Sequence, residues 1–461
     1  MHCGYVVKVE NLRKHSNADR LQVATFFGSD TIVDLNTKVG DIGVYFPVDL
    51  QLSEEFCNIN NLVRKKDENG KNIGGFLDPD KRNIKAIKLR GEKSDGLFMP
   101  LKAFDYCFDN SCSLDIGETV TILNGHEICK KYIPHRQHRQ GSYFEGNKTR
   151  KTKVNYAPLF AEHADTEQLA YNLNAFKAGD EVEITLKMHG TSQRTGYLPV
   201  FKGYKKQSIF EKLLKKPKTP IYEYDYVSGT RRVVMENFEG GSSFYGSNAF
   251  REQHHNMFVG KLNKGETVYY EVVGFTDSGA PIMSDGSNKG LDAEFIKMYG
   301  DTTRFSYGCS PDGRKVFYGR DEDGDYALEE KCPVSDVYVY RMTMTNEDGF
   351  VVEYTPDFMR YRCEQIGVKT VPVFTKFILH EYDLETDERS PGEIVKDVAE
   401  RYYDGPDPIG KTHTREGVVV RIINRPKFCA LKHKCWNFKV IEGLAKDVAT
   451  APDIEEAQEV T

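Results

Sequence analysis

The chain has 461 residues, more than one ordinary domain holds, so two or three packed units are expected. A net charge of -6 argues against general coating of nucleic acid without excluding a local basic groove, and an apolar content of 39% with no bilayer-length apolar run excludes a conventional membrane-spanning helix. The ten cysteines include no Cys-x-x-Cys pair, which favours a reducing, cytoplasmic setting over a disulfide framework or a zinc ribbon. The start does not resemble a signal peptide. Cys107 and Cys112 have the nearest metal-like spacing but lack partners in the sequence.

In chain order, "YVVKVENLRKH", "LQVATFFG", "DTIVDLN" and "KVGDIGVYFPVDLQL" alternate apolar and polar residues between Gly and Asp turns, and "NIKAIKLRGEKSDGLFMPL" reads strand, turn, strand. That is enough for a five-stranded barrel of the OB type over residues 1–125. Residues 126–155 are dense in Lys, Arg and His and read as a basic linker. Lys130, Lys131, Arg136, Arg139, Lys148, Arg150, Lys151 and Lys153 could track a phosphate backbone, although a solvated charged linker is the commoner case. From 156 to 445 an α+β region is expected. "EVEITL", "TVYYEVVGF", "DVYVYRMTM", "GFVVEYT" and "GVVVRII" read as strands, and "TEQLAYNLNAF", "DFMRYRCEQIG" and "PGEIVKDVAERYYD" as helices. "DSGAPIMSDGSNKG" and "GCSPDGRKVFYGRDEDGDY" read as surface loops or an inserted hairpin, and residues 446–461 as an acidic tail. Hairpins mixed with helices suit an antiparallel-rich sheet system rather than a doubly wound one.

Polar residues set into apolar strands mark the candidate site. Lys187 leaves the strand "EVEITL" into the turn Met188-His189-Gly190, which alone is a weak signal. Glu271 in "YYEVVGF", Tyr340 in "VYVYRM", Glu416 in "REGVVVRI", and Lys432 and Lys434 in "LKHKCWNFK" follow in order. Lys432 and Lys434 are two apart in a strand and share a face, as do Tyr338 and Tyr340. Adjacent ammonium groups call for an anion such as phosphate, and a divalent metal is the economical counter-charge for Glu271 and Glu416 beside it. Trp436, the only tryptophan, suits packing more than base stacking, and Cys435 a small buried position.

Two resemblances sharpen these readings. "HSNADRLQVATFFG" resembles the signature of OB-fold tRNA-binding modules attached to some aminoacyl-tRNA synthetases, although His15, Asn17, Asp19 and Arg20 would equally build a polar turn. "KMHG", "YYEVVG", "VYVYRM", "EGVVVR" and "LKHK" resemble the ordered motifs of covalent nucleotidyltransferases, the polynucleotide ligases and messenger RNA capping enzymes. His189 in the Lys-x-His-Gly form, and the absence of a C-terminal OB domain after the last motif, resemble the RNA ligase branch with an N-terminal OB-type domain.

The resemblance implies an N-terminal OB-like barrel followed by an antiparallel-rich nucleotidyltransferase domain of the ATP-grasp-like ligase kind. It implies ATP and Mg2+ or Mn2+ as cofactors. It further implies RNA with 5'-phosphate and 3'-OH ends as the substrate, a nicked duplex being one form of it, joined through a lysyl-AMP intermediate by a monomer working away from membranes. Lys187 would be the nucleophile, Glu271 and Glu416 metal ligands, and Lys432 and Lys434 contacts to the α-phosphate. His189, Gly190, Ser192 and Arg194 would surround the nucleotide and Tyr340 would stack on adenine, with Tyr338 the competing aromatic. Arg231 and Arg232, with Arg194, could bind a 5'-phosphate or simply occupy a solvated edge strand. Tyr340-Arg341 stands where the family more often has Phe-Asp. An unperturbed lysine is charged at neutral pH, so a nucleophilic Lys187 needs surroundings that favour the neutral amine. A capping-type guanylyltransferase and a non-catalytic RNA-binding protein are the competing readings.

Overall fold

The computed structural model describes residues 2–48, 50–65, 74–108, 113–132, 154–164, 166–214, 216–231, 233–238, 247–321, 324–380, 389–442 and 445–448. Arg232, Cys112, the acidic end of the chain and the basic run from Arg136 to Lys153 lie outside the described residues. Two compact units form, one of Met1–Tyr143, Ser287–Asp301 and Trp436–Thr461, the other of Phe144–Gly286 and Thr302–Cys435. The sequence expectation ran the second domain unbroken from 156 to 445. No helix among the described residues is long and apolar enough to cross a membrane, and no disulfide joins the described cysteines.

The first unit contains β1 (Gly4–Lys8), β2 (Leu12–Lys14), β3 (Leu21–Phe26), β4 (Ser29–Asp34), β5 (Ile42–Phe46), β6 (Leu97–Pro100) and β7 (Thr119–Val120). They make two sheets: β7-β1-β5-β6, on a core that includes Val6, Val44, Phe46, Leu50, Phe56 and Phe104, and β2-β3-β4, whose Leu21 and Ile32 pack with Ala18 and Leu89. The strands expected from alternation are present, but no closed barrel forms among the described residues. The sheets meet where Phe26 of β3 stacks on Phe98 of β6 and lies against Tyr45 of β5, and β4 is bonded to the segment 94–95: the Ile32 amide donates to Ser94 Oγ at 2.9 Å and the Asp95 amide to the Asp30 carbonyl at 2.8 Å. The strand Glu92–Ser94 is instead laddered to its own hairpin partner Ala86–Leu89, which pairs in parallel with Ala445–Val448.

One other expectation differs here. Cys129–Lys131, taken as the start of a linker, is a strand paired with Leu50–Leu52, and Lys130 pairs with Glu127 at 2.8 Å. Trp436 opens the helix Trp436–Ile441 and packs with Val48 and Ala86 beneath the Lys93 amine. His15 is buried and accepts the Asn17 amide at 3.1 Å, as a polar turn requires.

The second unit contains β8 (Glu181–Leu186), β9 (Thr191–Tyr204), β10 (Pro220–Gly229), β11 (Glu266–Gly274), β12 (Ser335–Thr345), β13 (Val373–Ile378), β14 (Gly417–Ile422) and β15 (Cys429–Lys434). One sheet runs β15-β14-β8-β13 and the other β10-β9-β11-β12, each with short edge strands added. Helix α1 (Pro356–Ile366) places Met359, Cys363 and Ile366 in the core with Val268, Tyr270 and Val272 of β11. Helix α2 (Pro391–Glu400) starts with the capping box Ser390/Glu393 and places Val395 and Ala399 against Val182, Ile184, Val418 and Val420. "TEQLAYNLNAF" is a correction. Its helical spacing is realised as two 3-10 turns, Leu169–Tyr171 and Leu173–Ala175, broken at Asn172, whose side chain donates to the Gln168 carbonyl. The inserted hairpin is present as Arg314–Asp321 paired with Gly324–Lys331.

Candidate functional site

Period-two alternation builds one wall of the site. In β8, Val182, Ile184 and Leu186 are buried, which turns Glu183, Thr185 and Lys187 to the opposite face. In the ladder, Val419 sits beside Thr185 and Lys432, while Gly417 sits beside Lys434. Lys432 and Lys434 therefore share the face that carries Lys187. The Lys187 amide donates to the Gly417 carbonyl at 3.0 Å, so the nucleophile candidate leaves its strand beside the start of β14. Gly417 has φ +149°, and a Cβ there would come within 2.1 Å of the His433 carbonyl.

The opposite wall comes from the second sheet, where Ser192 of β9 pairs with Glu271 of β11 and Glu271 with Tyr338 of β12. Gly190 is required by the close approach of β11: a Cβ would meet the Val272 carbonyl at 2.4 Å and Glu271 Cγ at 2.9 Å. A register shift between Tyr269 and Tyr270 leaves Tyr340 as the extra residue of a bulge in β12 and interrupts the simple alternation from Tyr338. Tyr340 lines the cavity, its hydroxyl 2.9 Å from Ser192 Oγ and its ring edge-on to His163. Tyr338 is buried, bonds Asp336 and lies under the Lys369 amine.

Between the walls is a cavity of about 440 Å3, lined by Lys187, Gly190, Ser192, Arg231, Glu271 and Tyr340 among others. Glu416 does not line the cavity but pairs with Lys187, which does. Its Oε1 lies 2.5 Å from Lys187 Nζ and 3.1 Å from Lys434 Nζ, and its Oε2 lies 3.6 Å from His189 Nδ1. Glu416 is 2% exposed and Lys187 20%. Burial alone would raise the Glu416 carboxyl, but Lys187, Lys434 and His189 outweigh it and hold the group well below the usual carboxylate range. Glu271 goes the other way. Burial pushes it up to about 7, with Glu416 adding to the rise and Lys187, the Gly190 amide and Arg231 only partly offsetting it.

Arg194 departs from its expected place. It is fully buried, donates to the Arg231 carbonyl at 2.7 Å and lies over the Phe160 ring. Arg231 is exposed at the cavity rim. Arg341 forms a forked pair with Glu353 and stacks on Tyr269 and Phe428. Sequence reasoning did not find His163, Glu183, Arg360 or Arg421, which also line the cavity, nor Tyr307, whose hydroxyl accepts the His189 amide at 2.7 Å. Glu183 and Arg421 were accessible, since period two puts them on the face of Lys187 and Val419.

No family profile matches the chain, and no curated protein matches it. Among solved structures the chain is similar in fold to RNA ligase from Naegleria gruberi. A mutant of that ligase with AMP and Mn superposes with a TM-score of 0.54 at 16% identity, covering 95% of this chain and 98% of the other. A mutant with ATP and Mn gives 0.54 at 15% identity, covering 96% and 100%. The ligase with PPi gives 0.53 at 16% identity, covering 94% and 96%. The mixed, sheet-rich fold is thus shared along nearly the whole length.

Proposed function

We propose that the chain is an ATP-dependent RNA ligase joining 3'-OH and 5'-phosphate ends through a lysyl-AMP intermediate. The observation that carries this reading is a nucleotide-sized cavity lined by Lys187, Glu271 and Tyr340, distant in sequence, with Lys187 in turn paired to Glu416, which also pairs with Lys434. Similarity of fold to a ligase determined with AMP, ATP and Mn supports it.

In this mechanism Lys187 Nζ attacks the α-phosphorus of ATP; a P–N bond forms, the bond to pyrophosphate breaks and the amine loses its proton. Lys187 starts paired with Glu416, so nucleotide binding has to loosen that pair before the amine can attack. Lys434 beside Glu416, and Lys432 on the same face, bring positive charge to the α-phosphate as its charge builds. The Tyr340 ring stacks on adenine, with its hydroxyl oriented by Ser192. AMP then passes to the RNA 5'-phosphate near Arg231, and the 3'-OH displaces it to form the phosphodiester.

Glu271 and Glu416 fit a divalent cation. The ionised Glu416 raises the cost of ionising Glu271, and Glu416 Oε2 is buried with no hydrogen-bond partner among the described residues. Bound there, Mg2+ or Mn2+ supplies neutralising charge for phosphate oxygens. The first unit is assigned to RNA binding as an OB-type module, with the basic segment after it as a phosphate contact, and the enzyme as a monomer. Incubation with α-32P-ATP and a divalent metal should leave label on the wild type that survives denaturing electrophoresis and alkali and is released by acid, as a P–N bond requires, and none on Lys187→Ala. Label retained by the variant, or absent from the wild type, sinks the reading.

A further inference from the structure

The turn after Lys187 is braced by a segment outside every motif. Tyr307 is buried, and its hydroxyl accepts the His189 amide at 2.7 Å. Its backbone is left-handed, φ 48°, a conformation that strains an aromatic residue and persists only where the surroundings hold it. The surroundings are explicit. A Cβ on Gly410 would come within 2.7 Å of the Gly308 nitrogen, so only glycine lets the loop at 404–414 lie against this turn. His413 is buried edge-on to the Tyr307 ring at 4.5 Å and to Phe305 at 5.3 Å, and Phe305 is edge-on to His189 at 4.5 Å. Asp407 fixes the loop itself: its Oδ2 accepts the Ile409 and Gly410 amides, and its own amide donates to the His413 carbonyl at 2.8 Å. One packed assembly therefore touches both sides of the ion pair. It holds His189, two residues after Lys187, and it holds His413, three residues before Glu416.

We propose that Tyr307 is a positioning residue: acting through the His189 amide, it holds the Lys187 turn in register with Glu416, so that the amine and the His189 imidazole keep their places on that carboxylate. This rests on the ligase reading of the same site. Tyr307 touches no substrate in this scheme, and its effect falls on the chemical step rather than on nucleotide affinity.

Tyr307→Phe keeps the ring and its contacts with His413 and removes only the acceptor. Formation of the labelled adduct should slow about tenfold or more at saturating ATP, because small displacements of a nucleophile are costly. The ATP concentration giving half the maximal rate should stay within about threefold. An adduct rate within about twofold of wild type, or a loss appearing only in ATP affinity, overturns the proposal. Amide hydrogen exchange provides a readout that needs no activity. In the wild type the His189 amide must be protected, and in Tyr307→Phe it must exchange faster; a freely exchanging His189 amide in the wild type also overturns it. If the wild type forms no adduct, the ligase reading falls while the exchange measurement still decides the role of Tyr307.

Discussion

The two sheets that flank the cavity each place a glutamate in the field of Lys187, and the same side chain behaves oppositely on them. Glu416, at the start of β14, is buried among Lys187, Lys434 and His189 and stays ionised. Glu271, on β11, has Lys187 as its strongest counter-charge and is opposed by Glu416 itself, so burial prevails and carries it up to about 7. Both are desolvated; what differs is the number of cations close enough to compensate. One sheet thus carries a fixed anion balanced by lysines, and the other a carboxyl whose charge depends on what enters the cavity.

The comparison breaks most readily at Glu416. Glu416→Gln leaves Lys187 and Lys434 side by side without the carboxylate that balances them, and removal of one partner from a buried ionic cluster costs about 3–5 kcal/mol. Urea unfolding at pH 7.5 should register a loss of that order, and adding Lys434→Met should recover part of it. A loss below about 1 kcal/mol would mean that water screens the cluster as at a surface.

The same substitution at Glu271 should have the opposite sign. A carboxyl raised to about 7 in the folded state binds its proton more tightly there than in the unfolded chain, so its stabilising contribution is complete below about pH 4.5 and is lost as pH rises through 7. Glu416 is depressed, so its contribution is present above the ordinary carboxylate range and is lost only in stronger acid. In metal-free buffer the wild type should lose stability between pH 5 and pH 8, by at most about 3 kcal/mol from this group. Glu271→Gln should flatten that slope and be the more stable protein at pH 8. A slope identical in the two proteins would place the Glu271 carboxyl in an ordinary solvated setting.

How much of this was legible in the sequence follows from how local each cause is. The face of β8 that presents Thr185 and Lys187, and the pairing of Lys432 with Lys434, are set by period-two alternation within six residues. Arg194 obeys the same period, two residues from Ser192, yet it is buried because Phe160 covers it, and nothing near Arg194 signals a cover that comes from 34 positions upstream. Tyr307 and His413 lie in loops whose Gly and Asp content reads only as turns; their meeting with His189 depends on tertiary packing. The open first unit has the same origin. Alternation revealed its strands, while their division between sheets depends on Glu92–Ser94 pairing with Ala86–Leu89 and on that strand's pairing with residues near 445. The bulge that gives Tyr340 its place was equally hidden, since a bulge is a property of two strands.

The smallest expected effect tests whether Tyr340 contributes through its ring or its hydroxyl. Tyr340→Phe removes one partner of the bond to Ser192 and keeps the stacking surface, so it should cost about 1 kcal/mol of stability and raise the KM for ATP only a few-fold. Tyr340→Leu removes the aromatic face and should raise that KM further, by about tenfold. Ser192→Ala alone strands the Tyr340 hydroxyl, whose burial together with the charge of Glu271 already keeps it from ionising. The double variant Ser192→Ala with Tyr340→Phe leaves neither hydroxyl stranded and should cost less than the two single changes summed. Strict additivity in that cycle would mean that the two hydroxyls act independently, and would leave the ring as the whole of the residue's contribution on its wall.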